Sequence, residues 1–181
     1  MLKKKIVLSL IIIGFVCSLF YVALKKPYVP AKSAPTIKPQ SNTTAMLPKT
    51  LPLISGKRWR KKDDSRYILI NFWATWCLPC LKEIPELIEL DQEYQTHKIE
   101  VLGVSMDREK ELVSRFLPKM NVNYPIIFYK EVADVFGPIP AIPTTLVFNA
   151  SYQLIYASKG LKKKEDILKE IDTALKQERS K

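Results

Sequence analysis

The sequence predicts an α/β domain, a central sheet with helices packed on it, preceded by an apolar segment and a tether. Three observations predict it. Strand-like and helix-like runs alternate from Leu51 onward, which implies parallel pairing in a layered sandwich. The last two strand-like runs, 144–149 and 153–158, are close enough to form an antiparallel hairpin. Residues 6–24 carry no charge at all.

The elements follow in chain order. Residues 6–24 would span roughly 28 Å as a helix, near the thickness of a bilayer core. Export signals have shorter apolar cores and a small-residue cleavage site close behind. Here Lys25-Lys26-Pro27 follows, and Ala31-Lys32-Ser33 lies far downstream. Residues 1–24 are therefore expected to be an uncleaved anchor, a transmembrane helix. Lys3, Lys4 and Lys5 favour a cytoplasmic N-terminus, while Lys25 and Lys26 offset that bias. Cys17 lies within the apolar run and reads as a small hydrophobe. Residues 25–50 hold Pro27, Pro30, Pro35, Pro39 and Pro48 among Ser, Thr, Lys and Gln. Such a stretch buries no core and serves as a flexible tether.

Residues 51–181 form the predicted globular domain. Ser55-Gly56 marks a small hairpin turn. Tyr67–Trp73 is an apolar run of strand length. Leu81, Ile84, Leu87, Ile88 and Tyr94 recur at helical spacing, so a helix is expected over 77–95. Pro85 inside it should kink it. Ile99–Ser105 reads as a buried strand, 109–120 as an amphipathic helix, 125–129 as a short strand and 130–136 as a short helix. Residues 162–177 read as a terminal helix with Ile167, Leu168, Ile171 and Leu175 inward, and Lys162-Lys163-Lys164 as its solvated start.

The net charge of +11 resembles a nucleic-acid signal until it is located. Residues 1–50 hold eight lysines and no acid; the rest carries 21 basic and 18 acidic groups. The excess flanks an apolar segment, which suits a membrane surface, and no nucleic-acid partner is expected. Three cysteines are too few for a disulfide-stapled scaffold.

The chemistry is concentrated in Trp76-Cys77-Leu78-Pro79-Cys80, where the strand-like run gives way to the helix. A cysteine at a helix N-terminus is favoured as thiolate, the nucleophilic form. Two cysteines three apart can close a small disulfide and open it again, so a redox dithiol is the leading reading. A static disulfide contributes little, since so short a loop removes little chain entropy. Pro79 fixes the backbone between the cysteines and has no N–H. Trp76 either shields the disulfide and meets substrate or packs inside. Glu83, three residues after Cys80, shares its helix face and can exchange a proton with the thiols if it is partly buried. A soft-metal module is the rival from another class, but zinc needs two further ligands. His97, the only histidine, stands apart in a polar turn at 95–98. Haem attachment would need His after Cys80, where Leu81 stands. A peroxidase of related fold would want Pro and Thr before the cysteine, where Ile70 and Ala74 stand.

Asn71-Phe72-Trp73-Ala74-Thr75-Trp76-Cys77-x-Pro79-Cys80, then Glu83 and Pro85, then Ile142-Pro143-Thr144-Thr145, resembles the membrane-anchored thioredoxin-like thiol-disulfide oxidoreductases of bacteria. That branch includes the cytochrome-c-maturation reductases. The resemblance implies a thioredoxin fold, a mixed sheet flanked by helices, with a helix and strand inserted over 106–129. It implies that Cys77 attacks, that Cys80 resolves, and that Glu83 is the acidic group beside them. Asn71 stands where thioredoxin has a buried aspartate, which leaves the acid-base work to Glu83. It further implies a cis-Pro143 facing the dithiol, with the Ile142 backbone pairing to an extended substrate segment. No cofactor is expected. The implied partners are disulfide-containing proteins, apocytochrome c among them, and a membrane electron donor. The domain is expected on the periplasmic or outer side of the cytoplasmic membrane. A disulfide-forming oxidant of the same fold is the alternative, because redox potentials vary widely within the fold.

Overall fold

A computed structural model describes residues 46–179. The expected anchor at 6–24, Cys17 and most of the tether lie outside these residues. Among the described residues, no helix is long and apolar enough to cross a membrane.

A two-stranded hairpin comes first, β1 (Thr50–Pro52) against β2 (Arg58–Arg60), turning at Gly56 with φ +81°. Then come β3 (Tyr67–Trp73), α1 (Leu78–Gln92), α2 (Tyr94–His97), β4 (Ile99–Ser105), α3 (Lys110–Met120), β5 (Ile126–Phe128), α4 (Ala133–Phe136), β6 (Thr144–Asn149), β7 (Leu154–Lys159) and α5 (Lys164–Arg179). The main sheet has the order β5-β4-β3-β6-β7. β3 pairs in parallel with β4, and β4 with β5, each across a helix-bearing connection. β6 is antiparallel to both β3 and β7. This is the mixed sheet expected from three alternating units followed by a hairpin, and α3 with β5 fills the expected insertion.

β3 is the central strand and is buried on both faces, which is why its sequence is apolar without alternation. One face packs Leu69 and Trp73 with Ile84, Leu87 and Leu90 of α1 and Ile167 and Ile171 of α5. The other packs Ile68, Ile70 and Phe72 with Trp59, Val132 and Phe148. Gly103 lies opposite Asn71 in the register. A Cβ there would fall 2.6 Å from Ile126 Cδ1 and 3.0 Å from Trp73 Nε1, so the position has room only for hydrogen.

Several boundaries differ from expectation. The folded unit reaches into the stretch expected as tether: Leu47 is buried and its N–H donates to Tyr152 O at 2.9 Å. The 77–95 helix is two, because the chain relaxes at Glu93 (ψ 15°) before a further turn that Lys98 closes at φ 55°. His97 therefore sits on a short helix and not in a turn, paired with Glu93 at 3.1 Å. The 125–129 strand ends at Phe128, and Tyr129–Glu131 forms a 3-10 turn ahead of α4. The Lys162–Lys164 stretch is not a solvated helix start. The Lys164 side chain is largely buried against α1; a lysine run says nothing about which acids face it.

Candidate functional site

β3 ends at Trp73, and Ala74, Thr75 and Trp76 carry the chain over to α1. Asp107, just beyond the end of β4, holds this turn. Its carboxylate accepts from the Thr75 N–H at 3.0 Å, from Thr75 Oγ1 at 2.6 Å and from Ser105 Oγ at 2.9 Å. Nothing in the motif singles out Asp107. The only signal is an acid two residues past a buried strand, and its use depends on β4 lying beside β3.

Cys77 is the N-cap of α1, with extended backbone (φ −90°, ψ 96°), and the Cys80 N–H points at its sulfur at 3.3 Å. A sulfur at that place meets both the free amides of the first turn and the positive end of the helix dipole. Pro79 falls in the first turn, where the missing N–H breaks no helical bond. Cys77 and Cys80 are joined as a disulfide with Cα atoms 5.2 Å apart. Cys77 is 5% exposed and Cys80 1%. Beside them Trp76 is 67% exposed and Leu78 72%. Trp76 therefore belongs to the surface and not to the core. Leu78, the unspecified residue between the cysteines, adds a second apolar side chain to the rim.

The Phe72–Thr144 pairing brings the start of β6 to the same end of the sheet as the dithiol. The Ile142-Pro143 peptide bond immediately before it is cis. Thr144 Oγ1 donates back to Ala141 O at 2.7 Å, and the Gly160 N–H donates to Pro143 O at 2.8 Å, so the bend is tied on both sides. Ile142 packs against the cluster that contains both cysteines.

Glu83 is fully buried. Its Oε2 accepts from Asn71 Nδ2 at 2.8 Å and its Oε1 from the Lys162 N–H at 2.9 Å. Asn71 also donates to Thr145 Oγ1 at 3.2 Å, which joins β3, β6 and α1 in one network. Burial pushes the Glu83 pKa up to about 7; the Lys162 N–H and the Asn71 amide oppose the rise without cancelling it. A carboxyl group poised near neutrality can take a proton and return it. Thus Cys77, Cys80 and Trp76 lie at one end of the sheet with Pro79 and the Ile142-Pro143 bend, and Glu83 is buried on the same helix three residues after Cys80. His97 does not join them. It lies in α2, where its ring pairs with Glu93.

This chain is similar to known proteins to different depths. The thiol-disulfide oxidoreductase ResA of Bacillus thuringiensis subsp. konkukian is 30% identical over 117 residues, covering 63% of this chain and 67% of that protein. Among solved structures, StoA from Bacillus subtilis superposes with a TM-score of 0.58 at 19% identity, over 67% of this chain and 94% of that one. A thioredoxin family thiol:disulfide interchange protein from Chlorobium tepidum superposes with a TM-score of 0.60 at 22% identity, over 82% and 99%. At such identities the structures establish the fold, which is thioredoxin-like. The profile of the AhpC/TSA family matches residues 45–157, from the segment that seats Leu47 through the motif to the last strand. Spanning well over half of the sequence and every element of the site but α5, that match places the chain in the AhpC/TSA family.

Proposed function

We infer that this chain is a thiol-disulfide oxidoreductase that reduces disulfides in other proteins through Cys77 and Cys80. One observation carries the reading: a closed Cys77–Cys80 disulfide at a helix N-terminus, beneath an exposed apolar rim. In the reduced form, the Cys77 thiolate attacks one sulfur of a substrate disulfide, and the other sulfur leaves as thiolate. Cys80 then gives its proton to Glu83 and attacks Cys77 Sγ. The second substrate sulfur leaves, and the Cys77–Cys80 disulfide remains. Two electrons have passed to the substrate, and a dithiol donor must return them before the next cycle. The exposed Trp76 and Leu78 receive the substrate's apolar flanks, and the Ile142 backbone pairs with its extended strand.

The finer reading places the domain outside the cytoplasm. Residues 6–24 anchor it to the membrane, 25–45 tether it, a membrane protein supplies the electrons, and cytochrome c maturation is one use. The uncharged 6–24 segment and the lysines on either side of it support this placement.

The test is a pair of variants. Cys77→Ser should abolish insulin-disulfide reduction, and Cys80→Ser should trap a mixed disulfide with substrate. Activity retained by Cys77→Ser would overturn the mechanism. Direction is read from the reduction potential. A value near or below about −270 mV fits a reductase, and one near −120 mV would make the protein an oxidant.

A further inference from the structure

Successive turns of α1 present Glu83, Glu86 and Glu89, and its C-cap Glu93, toward the segment that starts α5. The Lys162 N–H reaches Glu83 Oε1 at 2.9 Å, and the Lys164 N–H reaches Glu86 Oε2 at 3.0 Å. Lys164 Nζ donates to Glu89 and also to Glu93, the latter at 2.7 Å. The Lys164 side chain is 11% exposed, while Glu89 is 56% and Glu93 35% exposed, so a largely buried lysine stem carries its ammonium out to two carboxylates at the surface. The Lys162 side chain turns the other way, to Glu170 of α5 at 2.7 Å. The segment therefore touches the buried Glu83 only through a backbone amide, and the next residues decide where that amide sits.

We propose that Lys164 is a positioning residue for the redox site: by tying the start of α5 to Glu89 and Glu93, it holds the Lys162 N–H against Glu83. The proposal rests on the role given to Glu83 above, but its geometry is separate. A backbone amide cannot be replaced by another side chain, so its direction must come from neighbouring anchors. Among the described residues two donors reach Glu83, and the other, Asn71, is fixed by the sheet. The Lys162 amide is thus the adjustable one. The charged and titratable groups around Glu83 are Lys162 and Glu86, the Tyr124 hydroxyl, whose own pKa burial and Glu83 raise, and the Cys77 and Cys80 thiols once reduced. None of them replaces the lost N–H. When the amide swings away, the carboxylate loses a hydrogen bond made to its charged form, and its pKa rises further.

The experiment uses the full-length protein with Lys164→Met and Lys164→Arg. Amide exchange at Lys162 and the Glu83 carboxyl carbon shift are followed by NMR, with the rate at which Cys80 resolves a Cys77 mixed disulfide, from pH 5 to 9. In Lys164→Met the Lys162 amide should exchange at least tenfold faster, and the Glu83 midpoint should rise by about one pH unit, the size expected for a lost bond to a charged group. Lys164→Arg should restore both. Glu89→Gln/Glu93→Gln, which keeps Lys164, should reproduce the Met variant if that one folds poorly. An unmoved Glu83 midpoint in a folded variant would overturn the proposal, as would failure of Arg to rescue. A midpoint that moves while the Cys80 resolution rate does not would leave the latch standing and refute the role of Glu83 in exchange.

Discussion

Two glutamates are buried toward opposite ends of the same sheet, and they are held differently. Glu100, near the start of β4, takes three donors: Trp59 Nε1 at 2.7 Å, Ser65 Oγ at 2.8 Å and the Lys62 N–H at 3.1 Å. Glu83, at the level of Asn71 on β3, takes two. The donors to Glu100 come from β2 and the loop after it, so this carboxylate fastens the hairpin to the sheet. The donors to Glu83 leave it short of full compensation, and burial lifts its pKa to about 7. Both carboxylates are buried, and they differ in the number of donors that come with burial.

The comparison breaks if both glutamates respond alike to change. The largest effect is expected from Glu100→Ala, which orphans three donors and should cost about 4 kcal/mol of stability. Urea unfolding measures it, and the protein that remains folded should keep its activity. A loss below about 1 kcal/mol would mean that the tie is not one. Next comes the dependence of stability on pH in the disulfide form. The Glu83 pKa is raised on folding, from 4.5 to about 7. Its contribution is therefore fully present below pH 4.5, falls as the unfolded chain ionises first, and is gone above pH 7. Over that window the wild type should lose about 3 kcal/mol that Glu83→Gln does not lose. Parallel stability curves for the two proteins would refute the raised pKa.

Glu83→Gln should also slow disulfide reduction by about a hundredfold, the lower part of the range for general acid-base help. The wild-type rate should inflect near pH 7, and the variant's should not. The smallest effect sharpens the contrast at the rim. Trp76→Ala should raise KM for a protein substrate a few-fold, worth about 1 kcal/mol, and leave the unfolding midpoint in place. A drop in that midpoint would return Trp76 to the packing role its exposure argues against.

Much of this was legible in the sequence because it is local. β3, β4 and β6 match their expected bounds residue for residue: β3 as a continuous apolar run, β4 as a buried strand broken only by Glu100, and β6 as half of a hairpin. The dithiol and Pro79 lie within five consecutive residues. What was not legible is contact across the fold. Asp107 reaches Thr75 only because β3 and β4 are neighbours, and Glu100 meets Trp59 from 41 residues away. Lys162-Lys163-Lys164 read as solvated because charge runs usually are. The glutamates that receive Lys164 are spaced along a helix more than seventy residues earlier. Leu47 was hidden in a proline-rich stretch whose average composition outweighs one anchored side chain.

The bond from Glu83 to Lys162 joins residues 79 positions apart. Its consequence concerns the order in which the site comes into being. A chain made from its N-terminus has the whole Trp76–Cys80 sequence long before it has residue 162. A nascent or truncated chain ending at Leu161 carries both thiols and their helix, yet lacks the amide that moderates Glu83. Such a fragment is a dithiol without its governor. A segment made later is the one that brings chemistry made earlier under control.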